Sequence, residues 1–375
     1  MKKQKLLRIT TVSLSLEALL KGQLQYLNKF YNVIGLASGQ RKLMEVAQRE
    51  GIRTIEVKMQ RDINLWADLK SLLVLIKVIL KEKPFIVHAN TPKGSLLAMF
   101  AAWFCRVPHR IYTVTGLRFE TTRGRYRQVL IMMEKITCGC ATKVIPEGEG
   151  VKMTLIRENI TNKPLHKVLN GNINGIDLDY FSRSDEIMIL ANKLRKDLFT
   201  FCFVGRMVKD KGTNELVNAF ARLYDEQKQV RLLLVGPLEQ HLDPLEEEVL
   251  KLINTHPAIT FTGFKKDIRP FLAASDALAF PSYREGFPNV VMQAGAMGLP
   301  SIVTDINGCN EIIVDGVNGI IIPPKDEEAL YQGMKYFIDS KDKVAKMAAN
   351  ARPLIESRYE QKMVWEALLK EYKSL

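Results

Sequence analysis

Short β-branched and aliphatic runs alternate along the whole chain with longer stretches whose apolar positions recur at helical spacing. In the first half the runs at 7–12, 31–37, 53–57, 85–88, 110–114, 143–145 and 167–169 read as strands. The second half gives strands at 201–204, 231–235, 259–262, 277–280, 301–304 and 319–322. Between them lie amphipathic stretches such as 65–80. After the last strand comes another at 361–372, with Met363, Trp365, Leu368 and Leu369 on its apolar positions. Near-continuous apolar strands alternating with helices mean parallel sheets covered on both faces. At 375 residues the chain is long for one such sheet. The pattern predicts an α/β protein of two doubly wound domains, at 1–185 and 186–358, joined between 179 and 198, with a terminal helix at 359–375. In such sheets ligands bind beyond the carboxyl ends of the strands, and the cleft between two domains in series is the expected active site.

Composition narrows the class. With 47% hydrophobic and 25% charged residues the chain has the balance of a globular protein, without low-complexity segments or short repeats. Cys105, Cys138, Cys140, Cys202 and Cys309 are odd in number and scattered, which argues against a disulfide framework. The pair at 138 and 140 is too closely spaced for an ordinary zinc site. All five read as reduced packing residues of a cytoplasmic protein. Met1, Lys2 and Lys3 imitate the start of a secretory signal, but Arg8 and Glu17 interrupt the apolar stretch that follows. The longest apolar stretch, 72–80, contains Lys77 and is far too short to span a bilayer.

Charge separates the halves. Of 54 basic and 41 acidic residues, positions 1–190 hold 30 and 16, so the remainder holds 24 and 25. The whole excess of +13 therefore sits in the first half, which is expected to face something anionic. Nucleic acid, an anionic membrane and a phosphorylated substrate all meet that description.

Three groups of residues in the second half fall at strand ends. After the strand at 201–204 come Gly205, Arg206, Lys211 and Gly212, a glycine-bearing turn with two cations ahead of a helix. Cations beside free helix amides make a diphosphate site, although a solvated turn would read the same way. After the strand at 277–280 comes a turn with Glu285, Gly286, Phe287 and Pro288, and the next helix begins near Asn289. A carboxylate there accepts hydrogen bonds from sugar hydroxyls, and the glycine brings main-chain amides close to a ligand. Gln293 lies two helical turns beyond Glu285 and faces the same side. The small residues Ala294, Gly295 and Ala296, with Gly298 and Pro300, read as tight helix packing and a helix stop; 315–319 reads as a hairpin-type turn.

Together these residues resemble the retaining glycosyltransferases of family 4, which have the GT-B fold; the resemblance implies that the terminal helix, 359–375, crosses back to pack on the first domain. The resemblance is strongest from about Phe201 to Pro324 and weaker through the first half. It implies that Arg206 and Lys211 bind the donor diphosphate and stabilise the leaving nucleotide, making them catalytic together with Glu285. Glu285 would hold the donor sugar with main-chain groups of Gly286, Phe287, Pro288 and Asn289. The turn Gly263, Phe264, Lys265 would lie against the base. Two departures stand out. Gln293 occupies the position of a glutamate that binds the ribose hydroxyls; an amide can accept from one hydroxyl and donate to the other. Asn90 and Thr115 occupy positions where relatives carry histidines. In this family the leaving phosphate can itself take the acceptor's proton, so transfer tolerates those losses. His88 reads as a buried strand residue.

For the acceptor side the candidates are Asn90, Lys93, Thr115, Arg118 and Arg123. Thr91, Pro92, Lys93 and Gly94 open a helix as a phosphate site would. Arg118, Arg123, Arg125 and Arg127 cluster in an apparent loop. With the basic first half, these residues point to a polyprenyl-diphosphate-linked saccharide at the anionic inner face of the cytoplasmic membrane, each cation contributing roughly 1 kcal/mol there. The stretches 96–105 and 129–136 read as core helices, with an interfacial role as the alternative. The expected reaction moves a sugar, with an N-acetylhexosamine as one candidate, from a nucleotide donor, UDP by preference, in capsule, O-antigen or exopolysaccharide assembly, with no metal and no other cofactor. A nucleotide-sugar epimerase or hydrolase on the same fold, and a non-catalytic binding subunit, are the alternatives. A nucleic-acid binder would interleave aromatics with the basic cluster, and only Phe119 and Tyr126 do so.

Overall fold

The computed structural model describes residues 3–60, 64–241 and 243–375; Met1 and Lys2 of the signal-like start lie outside them. The chain divides into two compact units, Met1–Gly175 with Gln361–Leu375, and Ile176–Glu360.

Unit 1 is built on strands β1 (Lys5–Val12), β2 (Asn32–Ser38), β3 (Arg53–Glu56), β4 (Ile86–Ala89), β5 (His109–Val114) and β6 (Lys143–Pro146). They form one parallel sheet in the order β3-β2-β1-β4-β5-β6. Its helices are α1 (Ser13–Leu19), α2 (Gln23–Asn28), α3 (Gln40–Glu50), α4 (Leu65–Glu82), α5 (Pro92–Phe104), α6 (Gly124–Cys140) and α7 (Glu149–Arg157). Leu7 and Ile9 of β1 point into a core shared with α4, α5 and α6, and Leu6 into one shared with α1, α2 and α3. That alternation is what a strand buried on both faces requires.

Unit 2 repeats the design with β7 (Phe199–Val204), β8 (Val230–Val235), β9 (Ile259–Phe261), β10 (Ala277–Phe280), β11 (Ser301–Thr304) and β12 (Gly319–Ile322). Their order is β12-β11-β10-β7-β8-β9, again all parallel. Its helices are α8 (Asp185–Leu194), α9 (Thr213–Glu226), α10 (Glu247–Thr255), α11 (Arg269–Ala273), α12 (Asn289–Ala296), α13 (Cys309–Ile312), α14 (Glu327–Asp339) and α15 (Lys341–Tyr359). A Cβ on Gly295 would stand 2.6 Å from Ile355, so glycine is what lets α12 lie against α15.

The last helix, α16 (Gln361–Lys373), belongs to unit 1. Leu368, Leu369 and Tyr372 enter the core beneath α1 and α2. Tyr372 Oη lies 3.2 Å from Arg8 Nη1 and 2.5 Å from His88 Nδ1, and Trp365 donates from Nε1 to Asn174 Oδ1 at 2.7 Å. Gly22 sits under Trp365, where a Cβ would come within 2.7 Å of the indole.

Three sequence expectations need correction. The run 167–169 is not a strand: Leu169 takes a left-handed φ of 50° and Gly171 follows at 103°, so the backbone cannot stay extended. The chain passes from unit 1 to unit 2 at Gly175, ahead of the expected boundary at 185, because Ile176 already hydrogen-bonds Tyr359 and joins the second core. The turn at 315–319 leads into β12, which runs parallel to β11, so it closes no hairpin.

Candidate functional site

In a doubly wound sheet the crevice opens where the chain's direction of travel reverses. In unit 2 that point lies between β7 and β10, and their carboxyl ends carry Lys211 and Glu285. Lys211 lies in a 3-10 turn after β7, and its Nζ contacts Glu285 Oε1 directly. Ser282 Oγ donates to the same carboxylate oxygen at 3.0 Å, and the ammonium stands 5.8 Å from the centre of the Phe280 ring. Both side chains keep a little under a fifth of their surface exposed, 18% and 17%, so the pair is reachable by a ligand.

Glycines hold this arrangement together by backbone contact. Gly212 has φ 68°, and a Cβ there would stand 2.1 Å from the carbonyl oxygen of Pro281 at the end of β10. Gly236, after β8, has φ 146°, and its Cβ would stand 1.7 Å from the Gly205 carbonyl oxygen. The amide of Gly236 donates to Gly263 O at 3.0 Å, so the turns after β7, β8 and β9 lie side by side. The amide of Tyr283 donates to Asp210 O at 3.0 Å and ties the β10 turn to the β7 turn. Gly308, at φ 75°, abuts Gly286 O and the Phe287 Cα, where a Cβ would intrude to 2.6 and 2.7 Å.

Further polar groups brace the turns. Tyr283 Oη contacts Glu215 Oε1, and burial, followed by that carboxylate, pushes the phenol up, so it stays neutral. Arg284 Nη2 reaches Asp210 Oδ2 at 3.2 Å. Cys309 is fully buried beside the Lys211–Glu285 pair; burial and then the Glu285 charge raise its thiol well above the ordinary range, which makes it a packing residue. The contacts of Glu215, Asp210, Gly236 and Gly308 leave no spacing signal in the sequence, because their partners lie on other loops.

The remaining donor-side residues sit as follows. Arg206 is half-exposed and pairs with Glu239 at 2.9 Å, a carboxylate that the sequence reading missed. Phe287 is buried and meets Tyr359 edge-on at 5.5 Å, and Pro288 caps α12, so only their main chain can serve a ligand. Asn289 begins α12, and Gln293 lies half-buried on its second turn. In the turn after β9, Gly263 takes φ 68°, Phe264 is 72% exposed and Lys265 is exposed.

The acceptor-side candidates of unit 1 are placed as follows. Lys93 is buried and its Nζ lies 2.6 Å from Asp68 Oδ1. Thr11 Oγ1 accepts from the Gly94 amide at 3.0 Å, and Thr91 Oγ1 accepts from the Thr11 amide at 2.8 Å. The helix start that resembles a phosphate site is thus occupied by its own neighbours. Asn90 is 1% exposed and lines a cavity of about 20 Å³ with Arg8 and His88, room for a water molecule and not for a sugar. Thr115 donates to Asn90 O at 2.8 Å. His88 is buried with Nε2 on Thr113 Oγ1 at 2.7 Å, and burial, then Arg8, lowers its pKa well below the usual value. It is a neutral structural residue with both nitrogens engaged. The arginines do not share one loop: Arg118 lies in a 3-10 turn, Arg123 precedes α6, and Arg125 and Arg127 lie in α6. Arg118, Arg123 and Arg125 are exposed, whereas Arg127 pairs with Glu158 at 2.7 Å.

Comparison with known proteins adds to this geometry. Residues 199–340 match the model described as glycosyl transferases group 1, and residues 32–171 match the glycosyl transferase 4-like domain. Over 374 residues, 99% of this chain and 97% of the relative, the chain is 34% identical to the capsular polysaccharide biosynthesis glycosyltransferase CapM of Staphylococcus aureus. It is 30% identical, over 75% of this chain and 73% of the relative, to the Escherichia coli UDP-Gal:alpha-D-GlcNAc-diphosphoundecaprenol alpha-1,3-galactosyltransferase. The crystal structure of HepE from Anabaena with UDP and glucose superposes with a TM-score of 0.83 at 19% identity, over 99% of this chain and 100% of that one.

Proposed function

The chain belongs to family 4 of the glycosyltransferases and has their GT-B fold, and from that premise we propose that it transfers a sugar with retention of configuration from a UDP-sugar to a polyprenyl-diphosphate-linked saccharide. The observation that carries the donor half is the Lys211–Glu285 pair at the switch point of the second sheet. Without ligand, the two charges satisfy each other. A bound donor gives the ammonium a diphosphate oxygen and gives the carboxylate a sugar hydroxyl, so each charge keeps a partner in the complex. Arg206 supplies a second cation and the amides at the start of α12 add their dipoles. These groups neutralise the charge that builds on the leaving diphosphate, and the reading accordingly requires no metal ion.

In the transfer step the bond from the anomeric carbon to the diphosphate oxygen breaks as the acceptor oxygen bonds to that carbon from the same face. The acceptor's proton passes to the departing phosphate oxygen. No side-chain base is needed, which agrees with Asn90 and Thr115 standing where the family resemblance implies histidines. Phe264, exposed in the turn after β9, offers its ring to the base. The Escherichia coli relative uses UDP-galactose and a diphosphoundecaprenol acceptor, as its name states, which supports UDP and a lipid-linked acceptor here. Among the described residues no helix is long and apolar enough to cross a membrane. The basic first half supports work at the cytoplasmic membrane's inner face by peripheral attachment, in assembly of a surface polysaccharide.

Titration calorimetry with UDP, GDP and a panel of UDP-sugars tests the donor site. The expected result is selective UDP binding that weakens at least tenfold in Lys211→Ala; equal binding of GDP, or no binding, overturns the UDP assignment. Proton NMR of the product's anomeric signal tests retention, and unchanged turnover in EDTA tests metal independence.

A further inference from the structure

Helices α4, α5 and α6 lie side by side over one face of the first sheet, α5 in the middle. Their inner sides fill the core, yet their outer sides are also apolar. On α4 the outward positions Trp66, Leu69, Leu73 and Leu80 follow helical spacing and are 80%, 47%, 51% and 58% exposed. At the end of α5, Trp103 and Phe104 are 51% and 62% exposed. On α6 the outward stripe runs through Val129, Met132 and Ile136. Soluble monomers rarely expose apolar residues in such number on adjoining elements.

The charges on the same three helices are of one sign wherever they are exposed. Lys70, Lys77, Lys81, Arg125 and Lys135 are exposed, whereas the acidic residues Asp68, Glu82 and Glu134 are half-buried or buried. Asp68 is paired with Lys93, and Glu82 with Lys5 and Arg53. A second copy docking through this face would oppose cation to cation. An anionic bilayer answers both features: its interface takes Trp and aliphatic side chains, and its headgroups take the flanking lysines and arginines.

We propose that the outer faces of α4, α5 and α6 are the surface by which this protein lies on an anionic lipid bilayer, with Trp66, Trp103 and Phe104 as its interfacial anchors. This rests on the peripheral-membrane reading above and adds the face and orientation to it. Flotation of the full chain with vesicles of phosphatidylglycerol in phosphatidylcholine, against phosphatidylcholine alone, provides the test. Wild type is expected to float with the anionic vesicles and to be released by high salt. Trp66→Ser/Trp103→Ser/Phe104→Ser and Lys70→Glu/Lys77→Glu/Lys81→Glu are each expected to weaken binding at least tenfold while UDP binding is unchanged. Ile189→Ser/Leu190→Ser, on exposed apolar residues of α8, should have no effect. Brominated lipid should quench wild-type tryptophan emission, and Trp66→Phe/Trp103→Phe should lose that quenching, a readout that needs no disruptive substitution. Variants that float as well as wild type would overturn the assigned face and leave the membrane reading standing. Wild type that floats with no vesicle would overturn both. A concentration-dependent dimer abolished by the serine variants, with lipid binding intact, would overturn the lipid assignment of this face.

Discussion

Each sheet of this protein has a switch point, between β1 and β4 in the first and between β7 and β10 in the second, and the two are furnished differently. In the first, Thr11 and Thr91 hydrogen-bond each other, Thr11 also accepts from the Gly94 amide, and the nearby lysine is buried on Asp68. In the second, the lysine and its carboxylate remain partly open, and glycines keep the loops free of side chains. A lysine near a helix start therefore marks a ligand site only where the surrounding polar groups are left for the ligand. The same local sequence grammar, strand, turn, cation and helix, yields an internal brace in one unit and a candidate site in the other.

The comparison can be broken most severely at Gly236. Gly236→Ala forces a methyl into the Gly205 carbonyl, and the expected cost is more than about 3 kcal/mol of unit 2 stability with UDP binding lost alongside. A normal urea midpoint with normal UDP affinity would mean that the loops yield freely. Next is Lys211→Ala, expected to lower transfer by roughly 10²–10³ while the melting temperature hardly moves. An equal loss of turnover and of thermal stability would make Lys211 a structural brace like Lys93.

A third test uses pH. Burial pushes the Glu134 carboxyl, which receives the Tyr112 hydroxyl at 2.9 Å, up to about 7. Between its ordinary value and about 7 the folded state holds a proton that the unfolded chain has released. Stability of unit 1 therefore falls as pH rises through that window, by up to roughly 3 kcal/mol, and levels off above it. Glu134→Gln should flatten the profile of denaturation midpoints from pH 5 to 8; an unchanged slope would assign the effect to another group. The smallest expected effect belongs to Lys93→Ala, about 1–2 kcal/mol of unit 1 stability with UDP affinity unchanged, because Asp68 is left with part of its surface in water. If turnover fell there as far as in Lys211→Ala without loss of stability, the first switch point would be functional after all.

Most of this architecture is legible from periodicity alone. Every strand but the run at 167–169 coincides with an observed one to within about two residues, because strands buried on both faces have no polar positions to blur them. That run failed because left-handed backbone at Leu169 leaves no trace in hydropathy. The donor-side residues Lys211 and Glu285 were found from strand ends, yet their contact, across 74 positions, was not. The ion pair of Lys93 leaves no trace in the sequence, since its partner Asp68 lies on a different helix. The stretches 96–105 and 129–136 were read as core, and their inner sides are; hydropathy does not distinguish a helix apolar on one side from one apolar on both.

The placement of α16 has a consequence for biosynthesis. Unit 2 is one continuous stretch of chain, whereas unit 1 closes its core with Leu368, Leu369 and Tyr372, made only after the whole of unit 2. On the ribosome, unit 2 can fold as soon as Glu360 has emerged, while the first 175 residues wait with the seat beneath Trp365 and Tyr372 unfilled. A chain cut short by a dozen residues would keep every donor-side residue and still present an open apolar seam to chaperones and proteases. Completion of the unit 1 core is thus tied to residues translated after the whole of unit 2.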